Sequence, residues 1–104
     1  MDIQLKKGLL DVCILKCLSI KDSYGYKIIT DISPYIEISE STLYPILKRL
    51  EDQTCLSTYK EEHNGRIRKY YKITDMGIFR LEQFRDEYDK LLKALEYILG
   101  GKNE

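Results

Sequence analysis

Several features that identify other classes of protein are missing or scarce in this chain. Its 104 residues include no Trp, one His, two Pro and six Gly. The low Pro and Gly content excludes a collagen-like or low-complexity chain, and 43% hydrophobic residues exclude a largely disordered one. The 17 basic and 17 acidic residues leave no net charge, so attraction to nucleic acid requires a local cluster of cations. The length predicts one compact domain with an appendage.

The chain also lacks a long uninterrupted apolar stretch. The longest one, residues 9–20, is broken by Asp11, Lys16 and Ser19. A membrane span needs about 20 consecutive apolar residues, so none is predicted. The first residues have neither the apolar region nor the cleavage site of a signal peptide. We therefore expect no membrane partner and a cytoplasmic location.

Residue sets typical of enzymes and metal sites are equally scarce. Cys13, Cys17 and Cys55 show no C-x-x-C spacing, and only His63 could complete a metal set with them. His63 falls in a predicted turn without a Ser or Cys beside it, and there is no Gly-rich phosphate loop. The sequence predicts no enzyme, no cofactor and no metal. The thiols are expected to be reduced and mostly buried, with a redox pair of Cys13 and Cys17 as an open alternative.

Hydrophobic periodicity predicts three helices in the first half of the chain. Residues 3–20 are apolar around most of a helix circumference, which predicts neighbours on two sides. Ser23 is expected to cap a short second helix that ends before Pro34. Ser39 is expected to open a third helix with an apolar stripe, although Pro45 lies inside it.

The pattern then changes to that of a β-hairpin. Residues 56–60 and 67–73 predict two strands, and Asn64-Gly65 between them is a strong tight-turn signal. In the second strand one face, which carries Ile67, Tyr71 and Ile73, is expected to pack. The other face is expected to project cations.

A last helix is predicted from about residue 76 to residue 99, with Thr74 and Asp75 at its start, Gly100-Gly101 at its end and a frayed tail over 102–104. At 1.5 Å per residue it extends about 36 Å, more than the ~25 Å expected across a winged domain. Part of it should therefore overhang. Its apolar residues recur at steps of 3 and 4, as in the seam of a coiled coil. The seam consists of Leu81, Phe84, Tyr88, Leu91, Leu95 and Ile98.

This order of elements predicts a mainly α fold with a β-hairpin. Residues 1–74 correspond to a winged helix-turn-helix DNA-binding domain, in which the hairpin is the wing beside the third helix. Residues 75–104 correspond to one long C-terminal dimerisation helix and a short tail. The seam predicts that this helix, together with the first helix, forms a homodimer.

Several short motifs, in this order, carry a family resemblance. They are Leu9-Leu10-Asp11, Tyr24-Gly25-Tyr26, Ser41-Thr42-Leu43-Tyr44-Pro45, Leu47-Lys48-Arg49-Leu50-Glu51, and Arg66 through Tyr71 leading into Ile73-Thr74-Asp75-Met76-Gly77. Together they resemble the PadR family of bacterial transcriptional regulators, in its small subclass with a single C-terminal helix. The resemblance implies a homodimer that binds an inverted repeat in promoter DNA and usually represses. It also implies release by a small, often aromatic or lipophilic compound.

Nine residues are candidates for contact with double-stranded DNA. The wing segment from His63 to Lys72 holds four cations and no acid, so positive charge is concentrated there. The third helix offers polar side chains off its apolar stripe for a major groove. The candidates are Tyr26, Lys27, Ser41, Thr42, Tyr44, Lys48, Arg66, Arg68 and Lys69. The alternative is a winged-helix module that binds another protein and no DNA.

Six residues are candidates for an effector pocket across the dimer axis. They are Leu9, Cys13, Phe84, Tyr88, Leu91 and Leu92. Two such sets would form an apolar cavity with two phenolic hydroxyls, suited to planar or phenolic ligands. Drug-binding members of the subclass can carry a Trp in the last helix, at a place that corresponds to Tyr88 here. The alternative is that these side chains simply fill the interface.

Overall fold

A computed structural model describes residues 1–100 of the chain, and the predicted tail over 102–104 lies outside them. Within that range the chain forms four helices and one two-stranded antiparallel sheet. The elements in chain order are α1 Ile3–Ile20, α2 Gly25–Ile32, α3 Glu40–Asp52, β1 Leu56–His63, β2 Arg66–Ile73 and α4 Asp75–Ile98. This confirms the predicted fold class, a mainly α winged helix with a long C-terminal helix.

α1 is the central helix of the winged part and contacts α2, α4 and β2. The Asp2 carboxylate caps its start by accepting a hydrogen bond from the backbone N–H of Leu5 at 3.1 Å. Ile14 and Leu15 are fully buried. The nearly all-round apolar pattern of this helix follows from its several neighbours, and residues at its two ends remain exposed.

The second helix begins later than predicted, because Ser23 does not cap it. α2 starts at Gly25 with Tyr24 in the N-cap position. The backbone of Ser23 instead pairs with Tyr71 of the wing: its N–H donates to the Tyr71 carbonyl at 3.2 Å, and its carbonyl accepts from the Tyr71 N–H at 2.7 Å. A tertiary strand-like contact therefore replaces the local cap.

α3 begins after Ser39, as the sequence predicts, and continues through Pro45. The Ser39 hydroxyl bonds to the hydroxyls of Ser41 and Thr42 and caps no backbone N–H. Pro45 has no N–H, so the Ser41 carbonyl has no donor one turn later in the helix. The apolar residues of the predicted stripe are all buried, and this packing maintains the helix across the proline.

The hairpin is longer than predicted. Asn64 and Gly65, with φ of 53° and 79°, form a two-residue turn with both residues in the left-handed region, as in a type I′ hairpin. His63 pairs directly with Arg66. Of the residues between the two predicted strands, 61–63 therefore extend β1 and Arg66 extends β2. The expectation that Ile67 packs is wrong: it lies near the tip of the hairpin and is 72% exposed.

α4 has a packed first part and a projecting second part. Thr74 caps it by accepting from the Gly77 N–H at 3.2 Å. Leu81, predicted for the dimer seam, is 6% exposed and belongs to the core of its own chain, so that assignment is corrected. Every described residue after Tyr88 is exposed, and the molecule is 60 Å long, so the predicted overhang is confirmed. Within residues 1–100, no helix has the length and apolarity that a membrane crossing requires.

Candidate nucleic-acid interface

A cleft of about 680 Å³ separates the wing from α2 and α3. The wing side supplies Arg66, Arg68 and Lys69, and the helical side includes Tyr26 and Tyr44. The lining holds three cations and no carboxylate, so its field attracts a polyanion although the chain as a whole is neutral. Tyr26 is 70% exposed, so it does not belong to the core and is accessible to a ligand in the cleft.

The helix-turn-helix is held closely together where α2 begins. A side chain at Gly25 would overlap the phenol ring and hydroxyl of Tyr44, which lie directly against it. Glycine is therefore required for Tyr44 of α3 to rest on the start of α2. Tyr44 remains 46% exposed, so the same ring both fixes the two helices and faces the cleft.

Hydroxyl groups lie at the start of α3, outside the cleft lining. The Ser39 Oγ lies 3.0 Å from the Ser41 Oγ and donates to the Thr42 Oγ1 at 3.2 Å. All three side chains are exposed. A hydroxyl both donates and accepts, so this group can bond to base edges or to phosphate oxygens.

The two candidate lysines of the helices are engaged in weak surface ion pairs. Lys27 lies 3.3 Å from Asp31, and Lys48 lies 3.5 Å from Asp52, each pair within one helix. Exposed pairs of this kind contribute about 0.3–0.5 kcal/mol. Either lysine can therefore exchange its carboxylate for a phosphate at small cost.

One face of the wing forms an aromatic stack. The rings of Tyr59 and Tyr70 are parallel with centroids 5.4 Å apart, and Tyr24 meets Tyr70 edge-on at 5.5 Å. The guanidinium of Arg68 lies 4.2 Å from the centroid of the Tyr24 ring. The expected row of freely projecting cations is thus only partly present: Arg68 is positioned by an aromatic ring, whereas Arg66 is exposed near the tip.

The wing is tied to the segment between α1 and α2. The Tyr59 hydroxyl donates to the Asp22 carboxylate at 2.8 Å, and this hydrogen bond is the main cause that raises the pKa of Tyr59 to about 12. The backbone pairing of Ser23 with Tyr71 is a second connection. These contacts fix the orientation of the wing relative to the helices.

A charged cluster outside the cleft lining connects α1, α3 and α4. The carboxylate of Asp11, 9% exposed, accepts from Arg49 of α3 and from Arg80 of α4 at 3.3 Å. Arg80 also donates to the side chain of Gln53. Sequence reasoning missed this cluster, although a single carboxylate within the apolar α1 is a signal that a buried partner exists.

The structure separates the nine candidate DNA residues into two sets. Those that line the cleft are Tyr26, Tyr44, Arg66, Arg68 and Lys69, and those exposed outside it are Lys27, Ser41, Thr42 and Lys48. Sequence reasoning missed Tyr24, His63, Asn64 and Ile67, which also line the cleft. Of these, His63 became a strand residue because β1 extends to the two-residue turn, and Asn64-Gly65 was the signal for that turn.

The candidate dimer and effector residues occupy two environments. Phe84 and Tyr88 form a tilted aromatic pair with centroids 4.0 Å apart, while Leu91, Leu92, Leu95 and Ile98 are exposed. Leu9, Cys13 and Phe84 are half-buried against the core. A separate cavity between α1 and α2 includes Cys13 and none of the other five predicted pocket residues.

Comparison with known proteins places this geometry in context. A family model described as the transcriptional regulator PadR-like family matches residues 14–83. A Streptococcus mutans protein of known structure is 44% identical with a TM-score of 0.83, and the match covers 92% of this chain and 91% of that one. A PadR-like transcriptional regulator from Bacillus cereus is 31% identical with a TM-score of 0.85, over 95% and 99% of the two chains.

A third similar structure contains nucleic acid. It is that of Bacillus subtilis PadR in complex with operator DNA, which is 25% identical with a TM-score of 0.68. The match covers 73% of this chain and 46% of that one. The shared part is therefore most of this chain but less than half of the larger regulator.

Proposed function

The chain belongs to the PadR-like family of transcriptional regulators, and from this premise we propose that it is a homodimeric, ligand-responsive repressor that binds an inverted-repeat operator. The carrying observation is the cleft between the wing and the helices, which is lined by three cations and no carboxylate. Two copies related by a two-fold axis would present two such clefts to the two half-sites of an inverted repeat.

The proposed contacts follow from the chemistry of each side chain. Arg66, Lys69, Lys27 and Lys48 are assigned to phosphates, because they are exposed cations. Lys27 and Lys48 have only surface carboxylates as partners, and the Lys69 ammonium lies 5.5 Å from the centroid of the Tyr71 ring. Ser41, Thr42 and Tyr44 are assigned to the major groove, because α3 presents them on its exposed side. The operator complex of Bacillus subtilis PadR supports this use of the fold.

We assign dimerisation to the segment from residue 75 onward, together with α1. Leu91, Leu92, Leu95 and Ile98 are exposed on a helix that extends past the packed core. Exposed apolar side chains at heptad spacing are stabilised when a second helix covers them. The winged part, residues 1–74, then reads the DNA.

We assign the response to ligand to the aromatic and aliphatic residues near the proposed dimer axis. Phe84 and Tyr88, already paired, would meet their counterparts from the other copy, with Leu91, Leu92, Leu9 and Cys13 around them. An effector there lowers DNA affinity only if it binds the DNA-incompetent spacing of the two wings more tightly. Typical coupling energies are about 1–3 kcal/mol.

Fluorescence anisotropy tests the proposal with a labelled DNA duplex taken from the region upstream of the gene that encodes this chain. A scrambled duplex of equal length and composition is the control. We expect preferential binding to the upstream duplex and an affinity that falls steeply as salt increases. A protein that is dimeric in light scattering yet shows no preference between the duplexes would contradict the proposal and support the protein-interaction alternative.

A further inference from the structure

A second cavity, of about 650 Å³, lies between α1 and α2 and has no α4 residue in its lining. Its apolar wall includes Cys13, Cys17, Ile20 and Ile32. Its volume lies in the range of about 300–1,000 Å³ that small-molecule sites occupy. Two of its lining residues also have roles proposed above, Lys27 as a phosphate contact and Cys13 at the edge of the effector site, whereas Cys17 and Ser23 have none.

Ser23 marks this cavity as more than an apolar depression. It lies in the cavity wall and is 3% exposed. Among residues 1–100, its Oγ is the only buried side-chain nitrogen or oxygen that has no hydrogen-bond partner. Buried hydroxyls are normally paired, so a rotation of the Ser23 side chain that brings Oγ to a ligand oxygen or nitrogen in the cavity would complete an unsatisfied group.

The surrounding charges favour an uncharged ligand. The rim contains cations and acids together: Asp31 is paired with Lys27 at 3.3 Å and Asp22 accepts from the Tyr59 hydroxyl. Lys16 and Lys21 are exposed, so solvent and salt screen their charge. Burial raises the pKa of both Cys13 and Cys17, which keeps the two free thiols neutral. The wall is therefore apolar at physiological pH, and a buried charge would find no dedicated counter-ion.

We propose that this cavity binds a small uncharged amphiphile, with an apolar body against Cys13 and Cys17 and one hydroxyl or carbonyl at Ser23. Its binding changes the orientation of the wing relative to the helices. The route to the wing is short, because Asp22 and Ser23 both line the cavity and both bond to the hairpin, through Tyr59 and Tyr71. The effect on DNA rests on the function proposed above, whereas the ligand site does not.

The direct test uses the two thiols as reporters and contains no DNA. The dimeric wild-type protein is alkylated with iodoacetamide in the presence of 1-octanol, octanoate or octylammonium, and modification of each cysteine is followed by mass spectrometry. We expect 1-octanol to slow alkylation of Cys13 and Cys17 at least threefold. The two charged compounds should need at least threefold higher concentrations for the same protection. The buried Cys55 reports unfolding, because it reacts only if the core opens.

Two variants locate the bound compound. Ser23→Ala should raise the 1-octanol concentration needed for half protection at least threefold, whereas Ser57→Ala on the exposed face of β1 should not. Cys17→Phe should fill the cavity and abolish protection of Cys13. The site is disproved if no compound protects the thiols, or if Ser23→Ala and Cys17→Phe leave protection unchanged. The class of ligand is disproved if octanoate or octylammonium protects better than 1-octanol.

The coupling is tested separately, by operator anisotropy with and without 1-octanol. We expect 1-octanol to change the operator affinity at least threefold in the wild type and less than 1.5-fold in Cys17→Phe. Thiol protection without any change in affinity would disprove the coupling. If the thiols are protected but no duplex binds under any condition, the proposed function fails while the ligand site stands.

Discussion

Gly77 illustrates how one residue sets the position of α4. A Cβ at this position would overlap the backbone carbonyl of Cys55 and would lie 2.7 Å from the side chain of Ile73. The opposing carbonyl belongs to the chain between α3 and β1 and cannot rotate away. The small residue therefore lets α4 start directly against the end of β2 and the residue that precedes β1.

Gly77→Ala is expected to lower the free energy of unfolding by about 1–3 kcal/mol, because the added methyl overpacks a rigid contact. Gly8→Ala is the matched control, since Gly8 lies in α1 with no atom within 4 Å of its added Cβ. There the replacement of glycine in a helix should stabilise by about 0.5–1 kcal/mol. Urea denaturation measures both, and equal effects of the two substitutions would contradict the packing argument.

Arg66 is expected to contact a phosphate, because it is exposed near the wing tip and lines the positive cleft. Arg66→Ala should weaken binding to all duplexes similarly and reduce the magnitude of the salt slope by about 1. Lys90→Ala on the projecting part of α4 removes the same charge elsewhere and should leave the slope unchanged. An unchanged slope in Arg66→Ala would show that this residue does not contact DNA.

At the scale of elements, Asp11 connects three helices. It accepts from Arg49 near the end of α3 and from Arg80 of α4, so the proposed DNA-reading helix and the helix that extends beyond the core share one carboxylate on α1. A partly buried carboxylate with two guanidinium donors is a stronger contact than a surface pair. The cluster therefore links the position of α4 to that of α3 in the folded chain.

Asp11→Asn is expected to lower the free energy of unfolding by about 1–3 kcal/mol, because two guanidinium groups lose a charged acceptor. Asp31→Asn serves as the control, since its pair with Lys27 is exposed and contributes only about 0.3–0.5 kcal/mol. Urea denaturation at fixed salt compares them. Similar losses for the two variants would show that the cluster behaves as an ordinary surface ion pair.

At the scale of the whole molecule, the unequal coverage of α4 is the main feature. The core covers the first part of this helix at Gly77 and Leu81, and the described residues after Tyr88 are exposed. A length of 60 Å against widths of 26 and 21 Å reflects this projection. The exposed apolar residues on it are the surface that the proposed second copy would cover.

Leu95→Asp is expected to convert a dimer into a monomer in light scattering at micromolar concentration, because a charge would be buried in the seam. Lys93→Asp, on the opposite side of the same helix, changes charge without touching the seam and should stay dimeric. Operator affinity should fall with the dimer, since each chain carries one reading helix and one wing. A wild-type monomer would contradict the proposed architecture.

Local patterns in the sequence were enough to determine the order and type of the elements. α1 has the predicted bounds, and the Asn64-Gly65 turn lies where its residues require positive φ. The cation-rich wing and the exposed polar face of α3 also followed from sequence, because strand alternation and helical periodicity assign side chains to faces. These features depend on contacts between residues that are close in the chain.

Only the tertiary structure decided how these elements meet. Ser23 pairs with the backbone of Tyr71 in the wing and does not cap α2. Leu81 packs in the core of its own chain and is not available to a heptad seam. In both cases a contact with a distant segment replaces the one that the local pattern predicts. The cluster around Asp11 and the close approach of Tyr44 to Gly25 join residues that are far apart in sequence. No local pattern specifies such contacts, since their stability comes from burial and pairing that exist only once the helices have packed.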